Sequence, residues 1–400
     1  MHLKFFFQTV FLIFVISAFA QKKELSDESE IVVMTMGPHQ GELYSAFGHS
    51  AFRVVDPAND IDWVYNYGVF DFTQQNFYYN FARGEMVYQL GMSYYEPFRD
   101  FYVNQDREVR EQYLNLSLAE KRDFFKFLQK NYRPENRDYF YNYVYDNCAT
   151  KIADVVEIVF PDRVVFDHSK ANQGKTIRDL MHDYLDYQPW GTLGIDIGLG
   201  TQIDKEAPAA DYMFLPDYVF DAFAGANIRT NGIEKPLVKK TVIIHSPGEQ
   251  QENEGMFTPM TFFVMLFFVV GFLTHLNMKR GRRTRWIDGL LFGFAGFIGC
   301  WLVFLWSATI HLSTWNLDLL WAIPFHLPVV FMMRIKKWKV HLATYFKIVW
   351  IGYALLLAIW AVLPGHINAA LVPLTLLLLL RAFYISWDLK KQAVASNGLA

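Results

Sequence analysis

Long apolar segments in the last third of the chain set the strongest limit on what it can fold into. A helix needs about 20 consecutive apolar residues to cross the hydrocarbon core of a bilayer. Four segments come close to that length: residues 257–277, 286–308, 342–364 and 366–384. Nine of the eleven tryptophans lie beyond residue 280, and tryptophan is enriched at membrane interfaces. The sequence therefore predicts an all-α membrane domain over residues 257–384.

A fifth apolar segment, residues 316–334, is interrupted by Pro324, His326 and Pro328. Because proline removes a backbone donor and bends or breaks a helix, a kinked crossing and a re-entrant segment are both open. Counting the segment as a full crossing gives five transmembrane helices. That count also makes the basic residues alternate consistently along the chain.

Basic residues in the loops between the apolar segments predict the orientation. The loops 279–285 and 333–339 carry five and four of them, and the tail 385–400 adds two lysines. The loops around His311 and His366 carry none. Because basic loops stay on the cytoplasmic side, these loops and the C-terminal tail are predicted to be cytoplasmic.

The N-terminus has the pattern of an export signal. Lys4 precedes an apolar run that ends in Ala18-Phe19-Ala20, so residues 1–20 are predicted to be a cleavable signal peptide. An uncleaved anchor helix is the alternative. The polar segment 246–256 predicts a linker. Residues 21–245 are then an exported domain, either periplasmic or extracellular.

Charge and cysteine content narrow the remaining classes. A net charge of -3 gives no reason to expect a nucleic-acid partner. The acidic residues show no metal-ligand spacing, so no metal and no cofactor are predicted. Cys148 lies in the exported part and Cys300 in a membrane segment, so a disulfide between them conflicts with the topology.

The exported part combines strand and helix patterns. Residues 30–37, 50–56 and 63–72 are rich in β-branched and aromatic residues, which favours strands. The segment 117–132 begins with a capping-box pattern and is amphipathic, and residues 148–160 place apolar side chains at helical spacing. Strands and helices in separate runs indicate an α+β domain.

Cys148 falls at the start of the second of these helices. Asp146 or Asn147 can cap it. The thiol then lies among unpaired backbone N–H groups, which favour a thiolate and can stabilise an oxyanion. A small buried cysteine without reactivity is the alternative.

His49 is the candidate base for this thiol. It follows Gly48 and begins a predicted strand. A histidine on a sheet edge beside a thiol at a helix start is the geometry of papain-like enzymes. A histidine whose ring is satisfied by a backbone carbonyl is the alternative.

Several stretches resemble, in the same order, the exported domain of the Bacteroides-type lipoprotein N-acyltransferases. They are GELYSAFGHSAFRV (41–54), NYGVFDF (66–72), YDNCAT (145–150), TIRDL (176–180), PWGTLGIDIGLGTQID (189–204) and FLPDYVFDAF (214–223). The resemblance covers about residues 30–230, and a membrane-helical C-terminal half also fits that family. An Asn-Cys pair at a helix start, with a histidine earlier in the chain, also resembles the circularly permuted papain-like fold of the lecithin:retinol acyltransferase group.

The resemblance implies that Cys148 is the nucleophile and His49 its base. It implies an α+β papain-like exported domain, with circular permutation as an option, followed by the membrane domain. Fatty acyl groups are moved through a cysteine thioester in such enzymes.

A third polar residue follows from hairpin geometry. If the turn at residues 56–60 closes a simple hairpin, Asn66 lies close to the position opposite His49 and can orient the imidazole. A solvent-facing strand residue is the alternative. The other residues predicted to support the site are Asn147, Tyr44 and Ser45.

The resemblance further implies a lipoprotein N-acyltransferase of the bacterial inner membrane, with its N-terminal domain in the periplasm. The acyl group would pass from a phospholipid to Cys148 and then to the N-terminal amine of a diacylglyceryl-cysteine lipoprotein. A papain-like cysteine peptidase or amidase acting on cell-wall peptides is one alternative, although such an enzyme does not need five membrane helices. A non-catalytic envelope sensor, with Cys148 in its core, is the other.

Overall fold

The computed structural model describes residues 24–70, 73–171, 174–248, 257–360 and 367–396. The predicted signal peptide, most of the predicted linker and His366 lie outside these ranges. Within them, a sheet-rich α+β domain is followed by a domain of long helices. This division confirms the predicted fold class.

The described part of the N-terminal domain contains ten strands, of which seven form a large antiparallel sheet and three a smaller one. In chain order the strands are β1 (Glu30–Met36), β2 (His49–Asp56), β3 (Ile61–Phe70), β4 (Val87–Tyr94), β5 (Val109–Leu114), β6 (Asp138–Phe140), β7 (Val164–Val165), β8 (Asn227–Thr230), β9 (Ile233–Pro236) and β10 (Val238–His245). The order across the large sheet is β10-β5-β1-β2-β3-β4-β6, and β7, β8 and β9 form a smaller sheet. The apolar strand β1 is therefore central, which explains why six of its seven residues are buried.

The described part of the N-terminal domain contains the helices α1 (Phe77–Arg83), α2 (Tyr95–Val103), α3 (Leu118–Asn131), α4 (Thr150–Val159), α5 (Ile177–His182), α6 (Pro189–Gly198) and α7 (Pro216–Ala224). Four of them cover the two faces of the large sheet. Side chains of α3, α4 and α7 share a core with Phe52 and Tyr65 of the sheet. Tyr95 and Tyr102 of α2 pack on the opposite face. The capping box predicted at Ser117 starts α3.

The C-terminal domain is built from α8 (Pro259–Arg280), α9 (Arg285–Ala308), α10 (His326–Met332), α11 (Lys339–Ile359) and α12 (Leu371–Ser396). Among the described residues, α8, α9, α11 and α12 are long and apolar enough to cross a membrane. The last helix continues past residue 384, where the predicted span ends. Much of the predicted tail is therefore helical.

The fifth predicted span differs from the prediction of a full transmembrane helix. Residues 316–334 form a 3₁₀ turn and the short helix α10, and Pro324, which has no N–H to donate, lies in the break between them. Pro328 lies within the first turn of α10, where a proline is tolerated. This broken segment lies antiparallel along α9. Ala322 meets Gly299 and Leu327 meets Gly296. A side chain at either glycine would collide with the backbone of the broken segment.

The two domains are joined through the end of α6. The hydroxyl of Ser313 donates to the carbonyl of Gly198 at 2.6 Å, and the amide nitrogen of Asn316 donates to the carbonyl of Ile197 at 2.8 Å. The side chain of Asn368 donates to Asp196 at 2.8 Å. The N-terminal domain is thus docked on loops that connect the membrane helices.

Candidate catalytic site

His49 is the first residue of β2, at one end of the large sheet. It pairs with Met36, the last residue of β1. Gly48 precedes it with φ of 84°, and a Cβ on Gly48 would lie only 2.8 Å from the carbonyl oxygen of Met36. Glycine is therefore required where the chain enters the strand that carries the imidazole.

Asn66 reaches His49 from the neighbouring strand. The β2–β3 hairpin pairs Asp56 with Ile61, and this register brings Asn66 beside the start of β2. Its Oδ1 lies 2.6 Å from Nε2 of His49. Since an amide oxygen only accepts, Nε2 carries the proton and Nδ1 is left for another partner.

A β-bulge after Asn66 brings the backbone close to the thiol. Gly68 has φ of 93°, and a Cβ there would lie 3.5 Å from Cβ of Cys148 and 4.0 Å from Cε1 of His49. A larger residue would be strained at this φ and would crowd the space next to both reactive side chains.

Cys148 lies in the turn that leads into α4, two residues before Thr150. The Oδ1 of Asn147 accepts from the backbone N–H groups of Ala149 at 2.8 Å and Thr150 at 2.9 Å. The carbonyl of Asn147 accepts from the N–H of Lys151 at 3.1 Å, so the first helical bond already begins here. Asn147 is therefore the functional N-cap, with Cys148 directly after it.

Both amide protons of Asn147 are also engaged. Its Nδ2 donates to the carbonyls of Tyr143 at 2.9 Å and Phe214 at 2.8 Å. The residue is buried, at 5% exposure. Asn147 consequently positions Cys148 but has no proton left for an oxyanion. The other predicted cap, Asp146, instead pairs with Lys151.

The Cys148 thiol and the His49 ring are neighbours beside Gly68, and each acts on the pKa of the other. Burial alone raises the pKa of the thiol, but the positive charge and hydrogen bond of His49 outweigh it, so the pKa lies below its ordinary value. The backbone N–H groups of Ser50 and of Cys148 itself add to this lowering. Both N–H groups act on the sulfur, and they are candidate donors to the oxygen of an attacked carbonyl.

The pKa of His49 moves the opposite way. Burial lowers it, but the negative charge of Cys148 and the hydrogen bonds of Cys148 and Asn66 raise it above its ordinary value. A lowered pKa of the thiol and a raised pKa of the imidazole both favour the thiolate–imidazolium pair. This arrangement can perform nucleophilic attack on a carbonyl followed by proton return to a leaving group.

Aromatic rings surround the pair. The ring of Tyr102 stacks on His49 with centroids 6.1 Å apart and planes at 12°. Tyr88 and Tyr141 stack on each other at 4.1 Å, and both interact electrostatically with Cys148. The sequence patterns gave no signal for these rings.

Two predicted supporting residues, Tyr44 and Ser45, lie on the loop that leads to β2. Tyr44 is 80% exposed, on the 3₁₀ turn that leads to β2. The hydroxyl of Ser45 lies 2.8 Å from each of the carbonyls of His39 and Glu42. A hydroxyl has only one proton, and that of Ser45 is taken by these carbonyls. Ser45 therefore stabilises the loop and does not donate to the site as predicted.

Helix α1 links this end of the sheet to the membrane domain. The N–H of Ile310 donates to the carbonyl of Arg83 at 3.0 Å, and Nε2 of His311 lies 3.2 Å from the carbonyl of Phe81. Both contacts lie just beyond the end of α9. On the same helix, Tyr78 and Tyr79 are 85% and 60% exposed.

Within the described ranges, no group of three or more His, Cys, Asp or Glu side chains could hold a metal ion. Cys148 and Cys300 are both free thiols.

Two family models match the chain. Residues 5–183 match the model described as the Lnb N-terminal periplasmic domain, and residues 250–393 match the model described as the Lnb transmembrane domain. No curated protein and no solved structure matches. The chain is accordingly a membrane protein of the cell envelope with an N-terminal periplasmic part.

Proposed function

The chain belongs to the Bacteroides-type Lnb lipoprotein N-acyltransferase family, and we propose that it transfers a fatty acyl group from a phospholipid to the N-terminal amine of a lipoprotein. The observation that carries this proposal is the series Cys148–His49–Asn66, in which Cys148 and His49 lie close together beside Gly68 and the ring of His49 is hydrogen-bonded to Asn66. It lies in a periplasmic domain that is docked on membrane helices. Donor and acceptor are both held in lipid, which gives the membrane domain a purpose.

The first half-reaction acylates the enzyme. His49 takes the thiol proton, and the sulfur of Cys148 attacks an ester carbonyl of the phospholipid. The backbone N–H of Cys148 supports the oxyanion. The carbon–oxygen ester bond then breaks, and His49 returns its proton to the departing lysophospholipid oxygen. An acyl thioester remains on Cys148.

The second half-reaction transfers the acyl group. The α-amine of a diacylglyceryl-cysteine, in its neutral form, attacks the thioester carbonyl. His49 accepts a proton from the attacking amine as the carbon–sulfur bond breaks. The products are an amide on the lipoprotein and the restored Cys148–His49 pair. Both half-reactions use one oxyanion position, so one set of backbone donors supports two transition states.

The proposal includes an orientation of the chain in the membrane. The basic loops of the membrane domain and the C-terminus face the cytoplasm, by the positive-inside rule. A reporter fused after Ser396 that is active only in the cytoplasm should be active, whereas one fused at His245 should be inactive.

The test is the chemistry of a lipoprotein N-terminus in cells and with purified protein. With the wild-type chain, mass spectrometry should find the third acyl group on the amine and a trapped acyl group on Cys148. Cys148→Ser should abolish both, and His49→Ala should reduce both strongly. Cleavage of a cell-wall peptide without acyl transfer would replace this proposal by the peptidase alternative. If a folded Cys148→Ser chain keeps full activity in cells, Cys148 is not the nucleophile, and the alternative of a non-catalytic envelope sensor is favoured.

A further inference from the structure

Arg107 is a buried cation beside the candidate site. It lies just before β5, which pairs with β1 so that Val109 faces Met36, and Met36 in turn faces His49. Arg107 is therefore at the same end of the sheet as the imidazole. Only 4% of its surface is exposed.

The guanidinium of Arg107 is incompletely satisfied. Its Nε donates to the carbonyl of Gly37 at 2.9 Å. Among the described residues its Nη2 has no hydrogen-bond partner, and no carboxylate forms an ion pair with it. Two other largely buried arginines of this domain are neutralised. Arg53 pairs with Asp62 and Glu111, and Arg178 pairs with Asp196 and Asp204.

A buried charge without a counterion costs free energy, so its retention at a candidate site points to an anion that arrives with a ligand. Burial lowers the pKa of Arg107, and the groups that act against this are Tyr102, Tyr44 and Cys148. All three belong to the site or its bordering loop.

The placement suits an anion that is attached to the reacting ester. The guanidinium carbon lies 4.7 Å from the ring centroid of Tyr102, and the same ring stacks on His49. Tyr102 thus contacts both cations, and the charge of Arg107 acts to lower the pKa of His49. An anion on Arg107 would offset this effect and would remain close to Cys148.

We propose that Arg107 is the subsite for the phosphodiester of the donor phospholipid. In a phospholipid only the glycerol separates the phosphodiester from the ester carbonyl, and a guanidinium fork matches phosphate oxygens. The acceptor, a diacylglyceryl-cysteine, has no phosphate, so Arg107 favours the donor over the acceptor in the first half-reaction. Because Nη2 is shielded from water, the Gly37–Gly48 loop has to yield when the phosphate enters. This subsite rests on the proposed function.

The experiment compares two donors with the same acyl chains, phosphatidylethanolamine and diacylglycerol, in mixed micelles with a synthetic diacylated lipopeptide as acceptor. Arg107→Gln should lower the ratio of the phospholipid rate to the diacylglycerol rate at least about tenfold, the effect of losing a charged hydrogen bond. Arg107→Lys should give an intermediate ratio. The matched control is Arg99→Gln, which removes an arginine of α2 that is paired with Asp100 and should leave the ratio unchanged.

A ratio that stays constant overturns the subsite. If both rates fall together, Arg107 only supports the loop through Gly37. If neither falls, it has no role. Should Arg107→Gln fail to fold, Arg107→Lys carries the comparison.

A binding measurement separates this inference from the proposed function. A photoreactive ether-linked phospholipid, which cannot be cleaved at an acyl ester, is crosslinked to the Cys148→Ser chain with and without Arg107→Gln. Crosslinking should fall at least about fivefold with the second change. If it falls although the wild-type chain transfers no acyl group, the subsite stands and the proposed reaction fails. If crosslinking is unchanged while the wild-type chain transfers acyl groups normally, the proposed reaction stands and the Arg107 subsite fails.

Discussion

Replacing Asn66 by alanine tests whether the imidazole is held by the neighbouring strand. The change removes the acceptor that lies 2.6 Å from Nε2 of His49. During the reaction this nitrogen belongs to an imidazolium, and a hydrogen bond to a charged group contributes about 1.5–3 kcal/mol. If this energy is lost in the transition state, kcat/KM for acyl transfer should fall about 10- to 150-fold.

The pH profile gives a second, independent reading of the same change. The acidic limb reports formation of the Cys148 thiolate and the alkaline limb reports loss of the His49 proton, with the two groups titrating as a pair. The bond from Asn66 raises the pKa of His49. Without it the imidazolium loses its proton sooner, so the alkaline limb should move to lower pH. Asn66→Asp keeps an acceptor and adds negative charge, so this limb should move to higher pH.

The matched control is Asn59→Ala. Asn59 lies in the turn at the far end of the same hairpin, where it contacts Asp56 at 2.7 Å. Initial rates are measured across pH with a phospholipid donor and a lipopeptide acceptor, and Asn59→Ala should keep kcat/KM within about twofold. If Asn66→Ala lowers kcat/KM but leaves the alkaline limb in place, Asn66 does not act through His49 and the reasoning is refuted.

Three further changes probe the frame of the site. Gly48→Ala should lower stability by more than about 1 kcal/mol, because alanine is strained at positive φ and its Cβ meets the carbonyl of Met36; an unchanged thermal midpoint would contradict this. Asn147→Ala removes a helix cap, which should cost about 1–2 kcal/mol and slow alkylation of the site thiol; equal alkylation rates would show that the cap does not position the sulfur. Helix α1 adjoins the end of a membrane helix and should therefore lie at the lipid surface. A spin label attached at Tyr78→Cys, in a chain whose native cysteines are replaced by serine, should collide more often with oxygen, which dissolves in lipid, than with a water-soluble nickel chelate. Ile233→Cys, exposed on the small sheet, is the control, and the same accessibility at both positions would place α1 in water.

The local positions of Cys148 and Asn66 could be predicted from sequence because each depends on local rules, whereas the pairing of Cys148 with His49 was implied by the family resemblance. A capping side chain before an apolar helical stripe places Cys148 at a helix start. The length of the turn fixes the register of the β2–β3 hairpin, so Asn66 could be placed near His49 without knowing the rest of the sheet. Their catalytic roles stay predictions until the variants are measured.

The positions of Arg107 and Tyr102 beside the site could not be predicted from sequence, because they depend on contacts between segments that are far apart in the chain. The segment that carries them reaches His49 only because β5 pairs with β1 and α2 packs across that face, and no local periodicity encodes this order. The broken membrane segment is an intermediate case. Pro324 and Pro328 predict an interruption, but its path along α9 depends on close contacts at Gly296 and Gly299.

The contacts between the domains suggest that the membrane helices do more than anchor the site. A single helix and a flexible linker would suffice to keep the periplasmic domain near the bilayer. Here the end of α6 is bonded to Ser313, Asn316 and Asn368, while α1 is bonded to Ile310. Contacts at two separate places restrict rotation of the domain, and we infer that they hold the sulfur of Cys148 at a fixed height above the lipid surface. Replacing residues 257–396 by one unrelated transmembrane helix should therefore preserve acylation of Cys148 by a soluble activated ester but abolish transfer from a bilayer phospholipid. Retention of both reactions would reduce the membrane domain to a tether.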